Sequence, residues 1–193
     1  MSNPLNLAVI VGSTRQGRVS PMVTRWFAQR ANEHAEFTVD VIDLAEVALP
    51  DTLVENESDI PQAVLDYGKR IGKADAVVVV VPEYNHSFPA PLKTGIDWLY
   101  SEWAAKPISF VSYGGVSGGL RAVEQLRLVF AELNAVAIRD TVCFPNFWES
   151  FDDEGNIIDP TLCDKSAATM LDQLSWWAHA LRNHRSAHPF ANE

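Results

Sequence analysis

Apolar runs rich in valine and isoleucine recur along the chain, at Leu7 to Val11, Thr38 to Ile42, Ala76 to Val81, Ile108 to Ser112 and Val136 to Val142. The run AVVVVVP that begins at Ala76 has no polar alternation, the mark of a strand covered on both faces. The stretches between these runs have helical spacing. From Gly119 to Leu133 the apolar positions include Leu120, Val123, Leu126 and Phe130, and from Ala167 to Asn183 they include Met170, Leu171, Leu174, Trp177 and Leu181. Ser20 before Pro21 reads as an N-cap followed by proline in the first turn, and Pro91 opens a helix running to about Ser101 in the same way. Asn134 is suited to end the helix before it in the left-handed conformation. Strands alternating with helices in this manner predict a doubly wound α/β fold, a parallel sheet with helices on both faces.

The long piece from Phe144 to Pro160 has no periodicity, with a turn expected at its Asp-Glu-Gly-Asn stretch, and the tail from about Ser186 is expected to fray. Nothing between residues 1 and 193 resembles a linker, so one domain is expected; 47% hydrophobic and 21% charged residues are what such a domain needs to form a core. The formal charge of -10, from 15 basic and 25 acidic side chains, has the wrong sign for binding nucleic acid or an acidic membrane surface. No basic stretch leads into a long apolar run, and the run at Ala76 is far short of the ~20 residues that span a bilayer, so a cytoplasmic protein is expected. Cys143 and Cys163 are in neither a CxxC nor a metal-type spacing, and they read as reduced, partly buried thiols; no metal site is expected.

Chemistry concentrates in three segments that follow the first, third and fourth strands, where open parallel sheets bind ligands. The first is Gly12-Ser13-Thr14-Arg15-Gln16-Gly17-Arg18-Val19-Ser20. Hydroxyls, two guanidinium groups and backbone N–H donors at a helix N-terminus make it an anion cradle suited to a phosphate monoester. It matches the P-loop spacing through Gly17 but has Arg18 and Val19 where Lys and a magnesium-binding hydroxyl are needed, so triphosphate hydrolysis is not expected. The second is Pro82-Glu83-Tyr84-Asn85-His86-Ser87-Phe88-Pro89-Ala90-Pro91, whose three prolines stiffen a platform able to present the Tyr84 ring and the N–H groups of Glu83, Tyr84 and Asn85 to a flat ligand. The third, Tyr113-Gly114-Gly115-Val116-Ser117-Gly118-Gly119, has glycines that permit close approach to a ligand edge.

Taken together, the strand leading into Gly12-Ser13-Thr14-Arg15, the Pro82-Glu83-Tyr84-Asn85 segment running into Leu92-Lys93, and Ser112 with Gly114-Gly115 resemble the NAD(P)H-dependent FMN reductase family of flavodoxin-like proteins. The resemblance implies a five-stranded parallel sheet of order 2-1-3-4-5 and FMN as cofactor, with NADPH or NADH as electron donor. It places the FMN phosphate at Ser13, Arg15, Arg18 and Ser20, the isoalloxazine against Pro82, Glu83, Tyr84 and Asn85, and the ring's pyrimidine end at Ser112, Gly114 and Gly115. It also implies a homodimer or homotetramer, for which Trp98, Tyr100, Trp103, Phe147 and Trp148 are candidate contacts, Trp103 being expected to be exposed. The activity implied is electron transfer from NAD(P)H, through bound flavin, to a second small acceptor such as free flavin, a quinone or an azo compound, by a ping-pong mechanism. No side chain is obligatory for hydride transfer, although His86 is a candidate proton donor to the acceptor. Two other readings remain open at this point: a flavodoxin-type FMN electron carrier that does not oxidise NAD(P)H, and a non-redox anion-binding domain.

Overall fold

The protein is described by a computed structural model covering residues 4–190. Four seven-residue parallel strands form the sheet: β1 (Leu5–Val11), β2 (Phe37–Asp43), β3 (Ala76–Pro82) and β4 (Pro107–Tyr113). With a short fifth strand, β5 (Val136–Ala137), at the β4 edge, the order is β2-β1-β3-β4-β5, as expected of a flavodoxin-like fold. β3 is buried along its whole length, and its five consecutive valines each contribute on the order of 1.5–3 kcal/mol through burial. Alternate residues serve opposite faces. Val78 and Val80 join the core under α1 (Ser20–Glu33) and α6 (Thr161–Ala187), whereas Val77, Val79 and Val81 join that under α3 (Gln62–Lys73), α4 (Ala90–Asp97) and α5 (Leu120–Glu132).

The fifth run forms two short strands, β5 (Val136–Ala137) and β6 (Val142–Phe144), both paired with β4. Ile108 faces Ala137 but Val111 faces Val142, so five steps of chain lie opposite three and two residues must loop out. The carbonyls released from the ladder find side-chain donors: Arg127 reaches those of Ile138 and Arg139 at 2.7 and 3.1 Å, and the Ser109 hydroxyl reaches that of Asp140 at 2.7 Å.

Several helix boundaries differ from the sequence expectation. Ser20 is the first residue of α1 rather than its cap, because its buried hydroxyl is taken by the Tyr113 phenol at 2.5 Å. The helix at Pro91 stops at Asp97, and a 3-10 turn over Ser101–Trp103 follows. Trp103 is fully buried rather than exposed, donating from its indole to the Ile96 carbonyl and meeting Phe130 edge-on. Asn134 has φ of 56°, the left-handed geometry expected of it. α6 begins six residues early, where exposed Leu162 leaves no apolar stripe to read, and remains helical through Ala187, past the point where fraying was expected. Two α-helices had no counterpart in the sequence reading: the single turn α2 (Leu44–Val47) and α3, whose buried Val64, Tyr67 and Ile71 do have helical spacing.

Candidate functional site

The three segments singled out in the sequence converge at the carboxyl ends of β1, β3 and β4, around a cavity of about 380 Å³. Of the expected site residues, Arg15, Arg18, Pro82, Glu83, Tyr84, Gly114 and Gly115 line it, together with Gly17, Val19, Tyr113 and Phe147. Phe147 was assigned no role at the site in the sequence. It comes from the late irregular segment and is tied in by its N–H, which donates to the Gly114 carbonyl at 3.2 Å.

Two arginines line the cavity. Arg15 is exposed, and its guanidinium engages no protein group among the described residues. The N–H groups of Gly17 and Val19 likewise have no acceptor among the described residues. Arg18 differs. Its guanidinium grips the Asp43 carboxylate through two bonds of 2.8 and 2.6 Å and donates to the Ser13 carbonyl at 2.7 Å, so it braces the loop from inside. Ser13 is fully buried with its hydroxyl 2.7 Å from that of Tyr84, which ties the first segment to the second. Neither Ser13 nor Ser20 lines the cavity.

The second segment is stiffened by a tight turn as well as by its prolines. Tyr84 and Ser87 exchange both backbone hydrogen bonds, at 2.8 and 3.0 Å, and the intervening Asn85 and His86 have φ of 50° and 71°, the pair of positive values a type I′ turn requires. Gln125 of α5 clamps this turn, accepting from the Ser87 hydroxyl at 2.6 Å and donating to the His86 carbonyl at 2.7 Å. The geometry corrects one expectation. The N–H groups of Glu83 and Tyr84 are consumed internally, by Tyr113 and Ser87, so that of the three only the Asn85 N–H has no acceptor among the described residues. Asn85 and His86 are exposed and do not line the cavity.

The Glu83 carboxylate turns towards the third segment. It accepts from the Ser117 hydroxyl at 2.7 Å and from the Arg121 N–H at 3.2 Å, and pairs with the Arg121 guanidinium at 2.9 Å, its own side chain being 8% exposed. Burial alone would raise the pKa of this carboxyl, but the hydrogen bonds from Ser117 and Arg121 outweigh it and hold the group below the usual carboxylate range. Because the native pKa is lowered, the stabilisation is complete above the ordinary carboxylate pKa and is lost as pH falls through the native value. Glu83→Gln should therefore be about 1–2 kcal/mol less stable than the parent at pH 7, the gap narrowing below about pH 4. Thermal melts across pH check this; a gap that does not change with pH would mean that Glu83 does not act through its charge.

The glycines of the third segment mostly serve internal packing rather than a ligand. A side chain at Gly118 would meet the Cys143 sulfur at 2.2 Å, and one at Gly119 would meet the Ser112 side chain at 2.8 Å, both at positive φ. Only Gly115 faces open space, with Trp148 at 4.0 Å. Ser112 is fully buried away from the cavity lining, its hydroxyl without a partner among the described residues. The Cys143 and Cys163 thiols are unpaired with each other and half-buried, and burial raises the pKa of both. Among the described residues no cluster of acidic, His and Cys side chains could hold a metal ion, and no helix is long and apolar enough to cross a membrane.

An unpaired cation and free amides, together with rigid backbone and the Tyr84, Tyr113 and Phe147 side chains in one lining, suit a flat molecule carrying a phosphate. The chain is 34% identical to the NAD(P)H-dependent FMN reductase of Schizosaccharomyces pombe over 122 residues, a match spanning 58% of this chain and 60% of that protein. It is 30% identical over 185 residues to the 2-hydroxy-1,4-benzoquinone reductase of a Burkholderia species, covering 92% of this chain and 98% of that one. In fold it is similar to the flavoenzyme NAD(P)H:(acceptor) oxidoreductase FerB from Paracoccus denitrificans, with a TM-score of 0.75, 23% identity and coverage of 91% and 98%. Residues 5–149 match the family described as NADPH-dependent FMN reductase, and the chain belongs to that family.

Proposed function

We propose that the protein is an FMN-dependent oxidoreductase that takes electrons from NADPH or NADH and passes them to a small flat acceptor, a quinone or a free flavin. The observation that carries this reading is the cavity itself, where Arg15 and the free N–H groups of Gly17 and Val19 stand ready for a phosphate and the Pro82–Tyr84 and Gly114–Gly115 segments, side by side at the ends of paired strands, supply a backbone lining for a flat ring. In this reading Arg15 binds the phosphate directly. Arg18, Ser13 and Ser20 shape the loop, through Asp43, Tyr84 and Tyr113 respectively. The FMN held there supplies hydride acceptance and the return of two electrons. The protein positions the ring, keeps Glu83 bound to the third segment and contributes no obligatory proton. For a quinone the sum is NAD(P)H plus a proton plus quinone giving NAD(P)+ and hydroquinone, the proton coming from solvent. The names of the two sequence relatives, an FMN reductase and a benzoquinone reductase, support acceptors of this class. Assembly as a homodimer or homotetramer belongs to the same proposal; Tyr100, 55% exposed, is available for contact, whereas buried Trp103 is not.

Because donor and acceptor would enter by one mouth, the donor's product has to leave before the acceptor binds, which predicts ping-pong kinetics. Parallel double-reciprocal plots are expected, and intersecting lines would overturn the mechanism. His86→Ala should leave flavin reduction by NAD(P)H within about twofold of the parent, since the residue is outside the cavity lining and hydride transfer needs no proton from the protein. Stopped-flow absorbance of the reductive half-reaction measures this. A bound flavin that does not bleach with either nicotinamide would instead favour an electron carrier, and protein that binds no flavin would favour a non-redox anion-binding domain.

A further inference from the structure

An aromatic relay leads out of the cavity. Tyr113 and Phe147 line it and meet edge-on at 5.7 Å, and Phe147 in turn meets Trp148 edge-on at 5.3 Å. Trp148 stands outside the lining, 58% exposed, its ring 4.0 Å from where a side chain on the lining residue Gly115 would begin; Val116, which follows Gly115 in the chain, is 81% exposed. The Trp148 indole N–H has no acceptor among the described residues, so its position is not explained by a bond it makes. Nor is it carried on a loose loop. The Asn146 N–H donates to the Gly115 carbonyl at 2.9 Å and the Phe147 N–H to that of Gly114 at 3.2 Å, while Asn146, at φ of 44°, starts the 3-10 turn Phe147–Glu149 that carries the ring.

A rigidly mounted indole presents a large flat surface with little ordering left to do on binding. A lone exposed tryptophan needs no explanation, but one joined to a cavity through successive ring contacts and set against a lining glycine extends the cavity's aromatic wall outward. From this we infer that Trp148 is the outer binding platform for the electron acceptor, selecting a flat conjugated ring of quinone type that stacks on the indole as it enters. The inference rests on the proposed oxidoreductase reading for its reaction, but the platform can be tested by binding alone.

Trp148→Ala and Trp148→Phe are compared with the parent in the flavin-loaded protein, visible absorbance first confirming equal flavin content. Calorimetric titration of a naphthoquinone into the oxidised protein, with no electron donor present, should show affinity weakened roughly three- to tenfold in the alanine variant and largely restored in the phenylalanine variant. The KM for the naphthoquinone should rise by a similar factor while kcat and the KM for ferricyanide, which cannot stack, remain unchanged. Unaltered quinone affinity, an equal rise for ferricyanide, or a rise in the KM for NAD(P)H alone would each overturn the assignment. So would a change of assembly size on gel filtration, which would give the ring to an interface between copies. A parent protein that carries no flavin would defeat the oxidoreductase reading, and the same titration of naphthoquinone into the flavin-free proteins would still decide the platform: equal affinity in parent and Trp148→Ala would overturn it.

Discussion

Gly118→Ala is expected to destabilise the protein by about 2–4 kcal/mol, combining the strain of a left-handed non-glycine residue with overpacking. The position has φ of 62°, and the added methyl would lie 2.2 Å from the Cys143 sulfur and 2.9 Å from the Pro145 nitrogen. Backbone stands on one side and a strand-borne thiol on the other, so no flexible end can move aside. For a chain of this size each kcal/mol shifts the melting temperature by roughly 2–4 °C, which makes the effect plain in a thermal melt. Gly115→Ala is the control: its new methyl would have only the Trp148 ring, 4.0 Å away, as a neighbour, and φ there is not positive. Equal melting temperatures for Gly118→Ala and the parent would show that the third segment yields more readily than its contacts imply. The double variant Gly118→Ala, Cys143→Ala should regain part of the loss, since it removes the nearest obstacle and leaves the backbone strain.

Arg15→Ala is expected to weaken FMN binding by about 1.5–3 kcal/mol, roughly ten- to a hundredfold, the range of a hydrogen bond to a charged group. Its guanidinium lines the cavity and is committed to no protein group among the described residues, so truncation leaves no carboxylate behind it unpaired. Fold stability should change little. Arg18→Ala should behave differently: it leaves Asp43, a carboxylate only 13% exposed, with no cation and only the Ala45 N–H as a donor among the described residues, and melting temperature should fall together with FMN affinity. Fluorescence titration of FMN into flavin-stripped protein, with a melt of each variant, separates the two arginines. An Arg15→Ala protein with parental FMN affinity would sink the placement of the phosphate at this loop.

Much of this architecture was legible in the amino-acid order, for reasons that are local. A strand covered on both faces cannot accommodate polar alternation, so the valines of β3 announce a parallel sheet flanked by helices, and everything that follows from a doubly wound fold comes with them. The three segments that meet at the cavity were legible too, because hydroxyls, arginines, prolines and glycines gathered at strand exits break the apolar pattern of the elements on either side. Left-handed Asn134 belongs with these, as a single residue whose side chain tolerates the conformation.

What only the tertiary structure decided is which partner each polar group takes. Arg15 and Arg18 are chemically identical and three residues apart, yet one guanidinium is free at the cavity and the other is spent on Asp43, brought up from the end of β2. Ser20 has the composition of a cap, but the Tyr113 phenol claims its hydroxyl from 93 residues away. Glu83 lines the cavity but spends its carboxylate on Arg121 and Ser117, and Gly118 is required by a thiol on β6 rather than by a ligand. The interruption of the fifth strand depends on a two-residue excess over β4 that neither strand records by itself. In each case the residue's type was visible along the chain, while its role was set by a group distant in sequence, because hydrogen bonds and steric contacts are made in space and periodicity reports only the face on which a residue lies.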